Sequence, residues 1–212
     1  MKPVIAVDGH AGSGKGTISK KLARYFRFAY LDTGLFYRMI AFSDMDEKAL
    51  LNENALSFVE KISQVQIKDL RSEEVSRKAS AVAKSQKIRE KVTELIREFA
   101  ENPGNQFAGS VIDGRDIGSV VIPEAECKLF FTADVTVRAR RRFRTLRKSN
   151  PDLSLEEVCK SLENRDKQDS SREHAPLVFN ENYVLVDTSN ESIRKTFGRV
   201  LKIAKKMIKG KS

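Results

Sequence analysis

The chain opens on an unbroken apolar run, Val4-Ile5-Ala6-Val7, and then changes period, so that Ile18, Leu22 and Phe26 fall on one face of the next segment. A continuous run of that length suits a strand buried on both faces, and a spacing of three to four suits an amphipathic helix. The pattern therefore predicts a strand over Pro3–Asp8 and a helix over Lys15–Phe26. Further apolar runs predict strands at Phe28–Asp32, Ser110–Asp113, Lys128–Thr132 and Tyr183–Asp187. Between and after them, helical periodicity predicts helices at Leu35–Asp44, Asp134–Lys148, Leu153–Asp166 and Ile193–Ile208. Strands alternating with helices imply an α/β fold, a parallel sheet flanked by helices on both faces. From Asp46 to Ala100 the alternation pauses, and this stretch reads as a mostly helical insertion with a short strand at Val65–Lys68. Lys167 to Glu173 is polar and reads as a mobile loop.

Two stretches at strand ends carry the first chemistry. Residues Gly9-His10-Ala11-Gly12-Ser13-Gly14-Lys15-Gly16-Thr17 follow the first strand and hold four of the chain's eleven glycines. Glycines allow a tight turn that aims N–H groups at an anion, and Lys15 together with the start of the next helix adds positive charge. A nucleoside triphosphate is the ligand such a loop suggests. Asp113-Gly114-Arg115-Asp116-Ile117-Gly118 follows a later strand, where Arg115 could hold a phosphate and Asp116 could accept from an amine on a base, or the two charges could form a structural ion pair.

Three further segments are basic or polar. In Asp32-Thr33-Gly34-Leu35-Phe36-Tyr37-Arg38, Thr33 and Tyr37 can hydrogen-bond a sugar or phosphate and Arg38 can grip phosphate oxygens, while Asp32 could be a helix cap and Arg38 a solvated charge. Arg138, Arg140, Arg141, Arg142, Arg144 and Arg147 crowd one predicted helix whose apolar stripe is Val135, Ala139, Phe143 and Leu146. Six arginines in ten residues exceed what solubility needs, and some of them suit neutralisation of phosphate charge. Arg165 and Arg172 bracket a polar stretch suited to a closing lid.

Composition narrows the class. The chain has 212 residues, enough for one domain with a good core. No apolar stretch approaches the roughly 20 residues that span a bilayer, and no signal segment precedes the first strand, so a cytoplasmic protein with no membrane partner is expected. Cys127 and Cys159 lack the neighbours of a zinc site, and His10 and His174 lack metal-ligand or triad spacing. The net charge of +10 implies attraction to anions without choosing among them.

In their order and spacing these segments resemble the bacterial cytidylate kinases over nearly the whole chain. Gly9 to Thr17 is similar to that family's ATP loop, with Gly16 between lysine and threonine as in nucleoside monophosphate kinases. Leu31 to Gly34 with Tyr37-Arg38 resembles its acceptor segment, and Asp113 to Gly118 its most distinctive block. Leu70 to Val75, Ala79 to Ala83 and Ile88-Arg89 resemble its monophosphate-binding insertion. The resemblance implies a P-loop kinase fold over residues 1–212, with that insertion at about 33–100 and a short lid at about 145–175.

It further implies ATP and Mg²⁺, and CMP or dCMP as acceptor. Ser80, Arg89 and Asp116 would read the cytosine. Arg38, Arg115 and Arg172 would hold the acceptor phosphate. Arg165 and Asp169 would approach the ribose, with Arg141 and Arg142 in the lid. With Lys15, Arg115, Arg141, Arg142 and Arg172 would act on the transferring group, and Thr17 would meet Mg²⁺ directly or through water. Two departures stand out: His10 occupies a position usually held by proline, and the region before Leu70 is short. The alternatives are a P-loop kinase for another acceptor, and a basic nucleic-acid-binding ATPase, against which no nucleic-acid-binding motif appears. No nucleic-acid partner is expected, and a monomer is the default.

Overall fold

The computed structural model describes residues 2–147 and 150–209. The expected helix end at Lys148 lies outside them. Among the described residues five strands form: β1 (Val4–Gly9), β2 (Ala29–Asp32), β3 (Ser110–Asp113), β4 (Cys127–Thr132) and β5 (Val184–Asp187). They make one sheet in the order β2-β3-β1-β4-β5, with every pairing parallel. The unbroken apolar run of β1 is explained by its central place, where both faces are covered. Val4 and Ala6 enter one core with Leu31, Phe36, Phe58, Leu95 and Ile112. Ile5 and Val7 enter the opposite one with Leu22, Val111, Leu129, Phe131 and Val200.

Helix α1 (Lys15–Phe26) crosses from β1 to β2 and shares the second core with the closing helix, which runs over Ile193–Lys209. Between β2 and β3 the chain builds α2 (Gly34–Phe42), α3 (Glu47–Leu51), α4 (Ala55–Gln64), α5 (Ile67–Leu70), α6 (Glu73–Val82) and α7 (Gln86–Glu101). Asp46, Asn54, Ser72 and Ser85 start four of these helices, each side chain accepting the N–H three residues on. Such caps satisfy donors a helix start leaves open, which lets short helices persist. The strand expected at Val65–Lys68 does not form. A lone strand here would leave its backbone groups unpaired, whereas the helical turn gives Asp69 N–H to Gln66 O at 2.9 Å and Arg71 N–H to Ile67 O at 3.1 Å, and buries Leu70 completely.

After β3 comes a π-helical turn, Ile117–Val121, and after β4 come α8 (Val135–Leu146) and α9 (Leu155–Ser170). The closing helix is α10 (Ile193–Lys209). Helix α9 opens on a reciprocal cap between Ser154 and Glu157 and runs on to Ser170, so the first half of the polar stretch expected as a loop is helical. The reason is Asp169, which is buried there among arginines.

Gly9 ends β1 at φ 138°, and a Cβ placed on it would lie 2.0 Å from the Phe131 carbonyl oxygen of β4. Gly9→Ala is therefore expected to destabilise the fold by more than about 3 kcal/mol, since backbone strain and a backbone clash add. Urea unfolding checks this, and a loss below about 1 kcal/mol would contradict the clash.

Candidate active site

The carboxyl ends of β1, β2, β3 and β5 all open into one cleft of ≈ 830 Å³. Open parallel sheets place their ligand crevices there. The loop after β1 supplies Ala11 to Thr17 to the cleft wall, while Gly9 and His10 lie behind it. Gly12 and Gly14 take φ of 76° and 88°, the left-handed conformations that glycine adopts freely. The loop is braced from behind. Ser13 gives its N–H and hydroxyl to His10 O at 3.4 and 2.8 Å, Thr188 Oγ1 donates to Ser13 O at 2.8 Å, and Arg138 reaches Ala11 O at 3.3 Å. Meanwhile the N–H groups of Gly12, Gly14, Lys15 and Gly16 take no acceptor among the described residues. Free N–H groups at a helix start form an anion nest.

Lys15 Nζ stands 3.7 Å from Asp113 Oδ1. Burial lowers Lys15 to about 8, helped by Arg115 and opposed by Asp113, and burial raises Asp113 to about 6 against the pull of Lys15. Gly16 explains the departure at that position: a Cβ there would sit 3.1 Å from Asp113 Oδ2 and 3.5 Å from the Tyr30 hydroxyl. The first hydroxyl after the lysine is thus Thr17, which is exposed on the cleft wall. The ring of His10 turns from the cleft, its Nδ1 3.2 Å from Thr132 Oγ1 and its edge on Phe130, and burial lowers its pKa.

The loop after β2 brings Thr33, Tyr37 and Arg38 to the cleft. Thr33 donates its hydroxyl to Asp113 O at 3.0 Å, locking the ends of β2 and β3 together. Arg38 donates from Nη1 to Gly34 O at 3.0 Å, but its buried Nε has no partner, and burial lowers its pKa. Such an orphaned donor fits an absent anion. The cap position of α2 is Thr33 rather than Asp32, though Asp32 Oδ1 accepts from Gly34 N–H at 3.1 Å, and Asp32 also pairs with Arg71 at 2.8 Å. Burial pushes Tyr37 up to about 12, so its phenol stays neutral.

Asp116 and Arg89 form a buried pair at 2.6 Å, with Ser80 of α6 on the same cleft wall. Burial raises the Asp116 pKa against Arg89, and Oδ1 of Asp116 is left without a partner among the described residues. The ion pair and a base contact are thus compatible, one oxygen serving each.

Arg115 donates from Nε to Asp169 Oδ2 at 2.7 Å, Arg172 pairs with Oδ1, and Arg165 stands 4.0 Å away. Asp169, expected with Arg165 to approach a ribose, is buried against these three arginines, which themselves line the cleft. Burial opposes its charge, yet the arginines outweigh that and hold it below the usual carboxylate range. Burial lowers Arg165 to about 9.

On the opposite side, Arg141 gives two bonds to Thr188, at 2.9 and 2.6 Å, and Arg142 lines the cleft. Sequence reasoning missed Arg138, Thr188 and Arg71. Arg138 is a buried strut, joining Ala133 O at 2.7 Å and Asp166 at 2.6 Å to the loop, and nothing in its spacing separates it from its solvated neighbours. The described residues hold no cluster of three or more metal-ligating side chains.

Comparison with known proteins agrees with this geometry. Residues 5–206 match the family model described as cytidylate kinase. A protein named cytidylate kinase from Azorhizobium caulinodans is 40% identical over 208 residues, covering 96% of this chain and 98% of its own. One of the same name from Xanthobacter autotrophicus is 41% identical, covering 94% and 96%. A crystal structure of shikimate kinase from Bacteroides thetaiotaomicron superposes with a TM-score of 0.55 at 14% identity, covering 97% of this chain and 99% of that one, and shares the fold.

Proposed function

The chain belongs to the cytidylate kinase family, and we propose that it transfers the γ-phosphoryl group of ATP to CMP or dCMP, giving ADP and CDP or dCDP. The observation that carries this reading is a single cleft that joins an anion nest at β1 to guanidinium groups and a carboxylate at β2 and β3. Transfer between two phosphates asks for alignment and charge neutralisation rather than covalent chemistry.

The nest and Lys15 hold the ATP phosphates. Arg38, Arg115 and Arg172 hold the acceptor phosphate, the unpaired Nε of Arg38 being one ready donor. Arg141 and Arg142, on α8 where it leads into the lid, neutralise charge that spreads over the transferring group. Ser80, Arg89 and the free oxygen of Asp116 meet the cytosine, whose 4-amino group donates where uracil would present a second acceptor. Arg165 approaches the ribose, and Asp169 acts by holding Arg115 and Arg172. Mg²⁺, arriving with the nucleotide, would supply positive charge against the phosphates. The exposed Thr17 hydroxyl and the cleft carboxylates Asp32 and Asp113 fit it, as a hard cation that keeps most of its ligands from water and phosphate.

We read residues 1–212 as one P-loop kinase domain with its monophosphate-binding insertion at about 33–100 and a lid at about 145–175, working as a monomer in the cytoplasm. Both cysteines are unpaired, and no described helix is long and apolar enough to cross a membrane. The rival readings, another acceptor or a nucleic-acid-dependent ATPase, gain nothing from the family match.

A panel of CMP, dCMP, UMP and AMP with ATP and Mg²⁺ tests the proposal. Cytosine acceptors should exceed the others by at least about tenfold in kcat/KM, and chelating Mg²⁺ should abolish all transfer. Equal or faster turnover of UMP or AMP sinks the assignment.

A further inference from the structure

Asp8 is fully buried near the end of β1, one residue before the phosphate loop, and is not among the residues that line the cleft. Its two oxygens grip the π-helical turn behind Asp116. Oδ1 accepts from Ile117 N–H at 2.9 Å, and Oδ2 accepts from Gly118 N–H at 2.9 Å and from the Tyr183 hydroxyl at 2.7 Å. Gly118 makes room for this arrangement, since a Cβ there would lie 3.0 Å from the Tyr183 hydroxyl. The other end of the turn is held too. Arg97 of α7 donates from Nε to Val121 O at 2.8 Å and from Nη2 to Val120 O at 3.3 Å. Arg97 lies two turns along α7 from Arg89, which takes the Asp116 carboxylate itself.

The π turn closes on itself through Val121 N–H to Asp116 O at 3.0 Å and Ile122 N–H to Ile117 O at 2.7 Å. Turns of this kind are uncommon and recur at functional sites, where they aim a side chain. Asp116 stands at the head of this one. Burial pushes Asp8 up to about 6, with nearby Asp116 adding to the rise, so a charged carboxylate is kept here against its own desolvation. That is hard to explain as a device for stability.

We propose that Asp8 and Arg97 are positioning residues for cytosine selection, gripping opposite ends of the turn and so fixing where the Asp116 carboxylate stands. The proposal rests on the reading of Asp116 as the base contact, and it adds that selectivity is set partly from behind the cleft. It also makes β1 a shared support, because the residue that anchors the base contact is joined directly to the loop that holds ATP.

The test uses Asp8→Asn and Arg97→Gln in the full chain, with Asp116→Ala beside them. Asparagine keeps the shape of Asp8 but must turn an amide N–H₂ toward a backbone N–H, whichever way it lies. Asp8→Asn should raise the KM for CMP about tenfold and lower the CMP-over-UMP preference by a similar factor, because small displacements of a contact group are heavily penalised. Arg97→Gln should act in the same direction by about threefold, and the KM for ATP should stay within about twofold in both. If Asp116→Ala erodes the preference while both other variants leave it intact, the positioning role is wrong and the base contact stands. If Asp116→Ala leaves the preference intact, the base contact fails and the proposal with it. Equal rises in KM for ATP and CMP at constant preference would mark a general structural role and also overturn it. Should Asp8→Asn fail to fold, Arg97→Gln on the solvent side of α7 decides the matter alone.

Discussion

Replacing Lys15 with alanine is expected to lower kcat for every acceptor by about a thousandfold, the scale set by removing one aligned charge from a site that stabilises spreading negative charge. Lys15 is the charged side chain of the anion nest, and its burial, helped by Arg115, pulls it down to about 8. A phosphate beside the ammonium group reverses that pull, since an opposite charge favours the ionised form. The fold should tolerate the change better than the reaction does. Asp113, left without its partner 3.7 Å away, already sits near 6 and can take up a proton rather than remain a stranded buried anion. Steady-state rates with CMP and UMP, set beside a thermal melt, check both parts. A loss below about tenfold would remove the loop from the phosphoryl-transfer step.

Asp116→Ala is expected to act on choice rather than on rate. The CMP-over-UMP preference should fall on the order of a hundredfold, mostly through a lower kcat/KM for CMP, because a buried donor left unpaired costs about 2–3 kcal/mol. Uracil gains nothing from the carboxylate and should lose less. Arg89 is then left buried without its partner at 2.6 Å, so the melting temperature should fall as well, and the rates belong at a temperature where the variant is folded. Equal losses with CMP and UMP would return Asp116 to the status of a structural ion pair.

How much of this the sequence announces depends on how far apart the cooperating residues lie. The phosphate loop is legible because its cause is local: glycines at fixed offsets from a lysine, between an apolar run and a helical stripe. The sheet is legible too, because each strand carries an apolar run of its own, even the half-exposed edge strand β5. The base contact is not local. Asp116 and Arg89 are 27 residues apart and meet only because α7 packs beside the π turn, so the residues themselves suggested Asp116 as a base acceptor while only the family resemblance pointed to Arg89. The errors have similar roots. Val65 to Lys68 alternates like a strand but has no neighbour to pair with, and its backbone closes into a helical turn instead. The polar run after Asp166 looks like loop, yet Asp169 is drawn inward by guanidinium groups that arrive from the other end of the chain segment as well as from its own helix. Arg138 was hidden among its neighbours, since a periodicity reports which face is apolar and not which cation will be buried. Asp8 was hidden for the opposite reason, a single charge at the end of a run that otherwise announces only burial.

Asp169 gives the resting enzyme an anion of its own. Guanidinium groups gathered without a counter-ion would repel one another and drift toward water, whereas around this carboxylate they wait already aimed, much of their rotamer freedom surrendered before any substrate arrives. On the proposed reading, an incoming dianion draws on donors that a resident carboxylate already holds rather than recruiting them from solvent, and as product leaves the arginines have that carboxylate to return to.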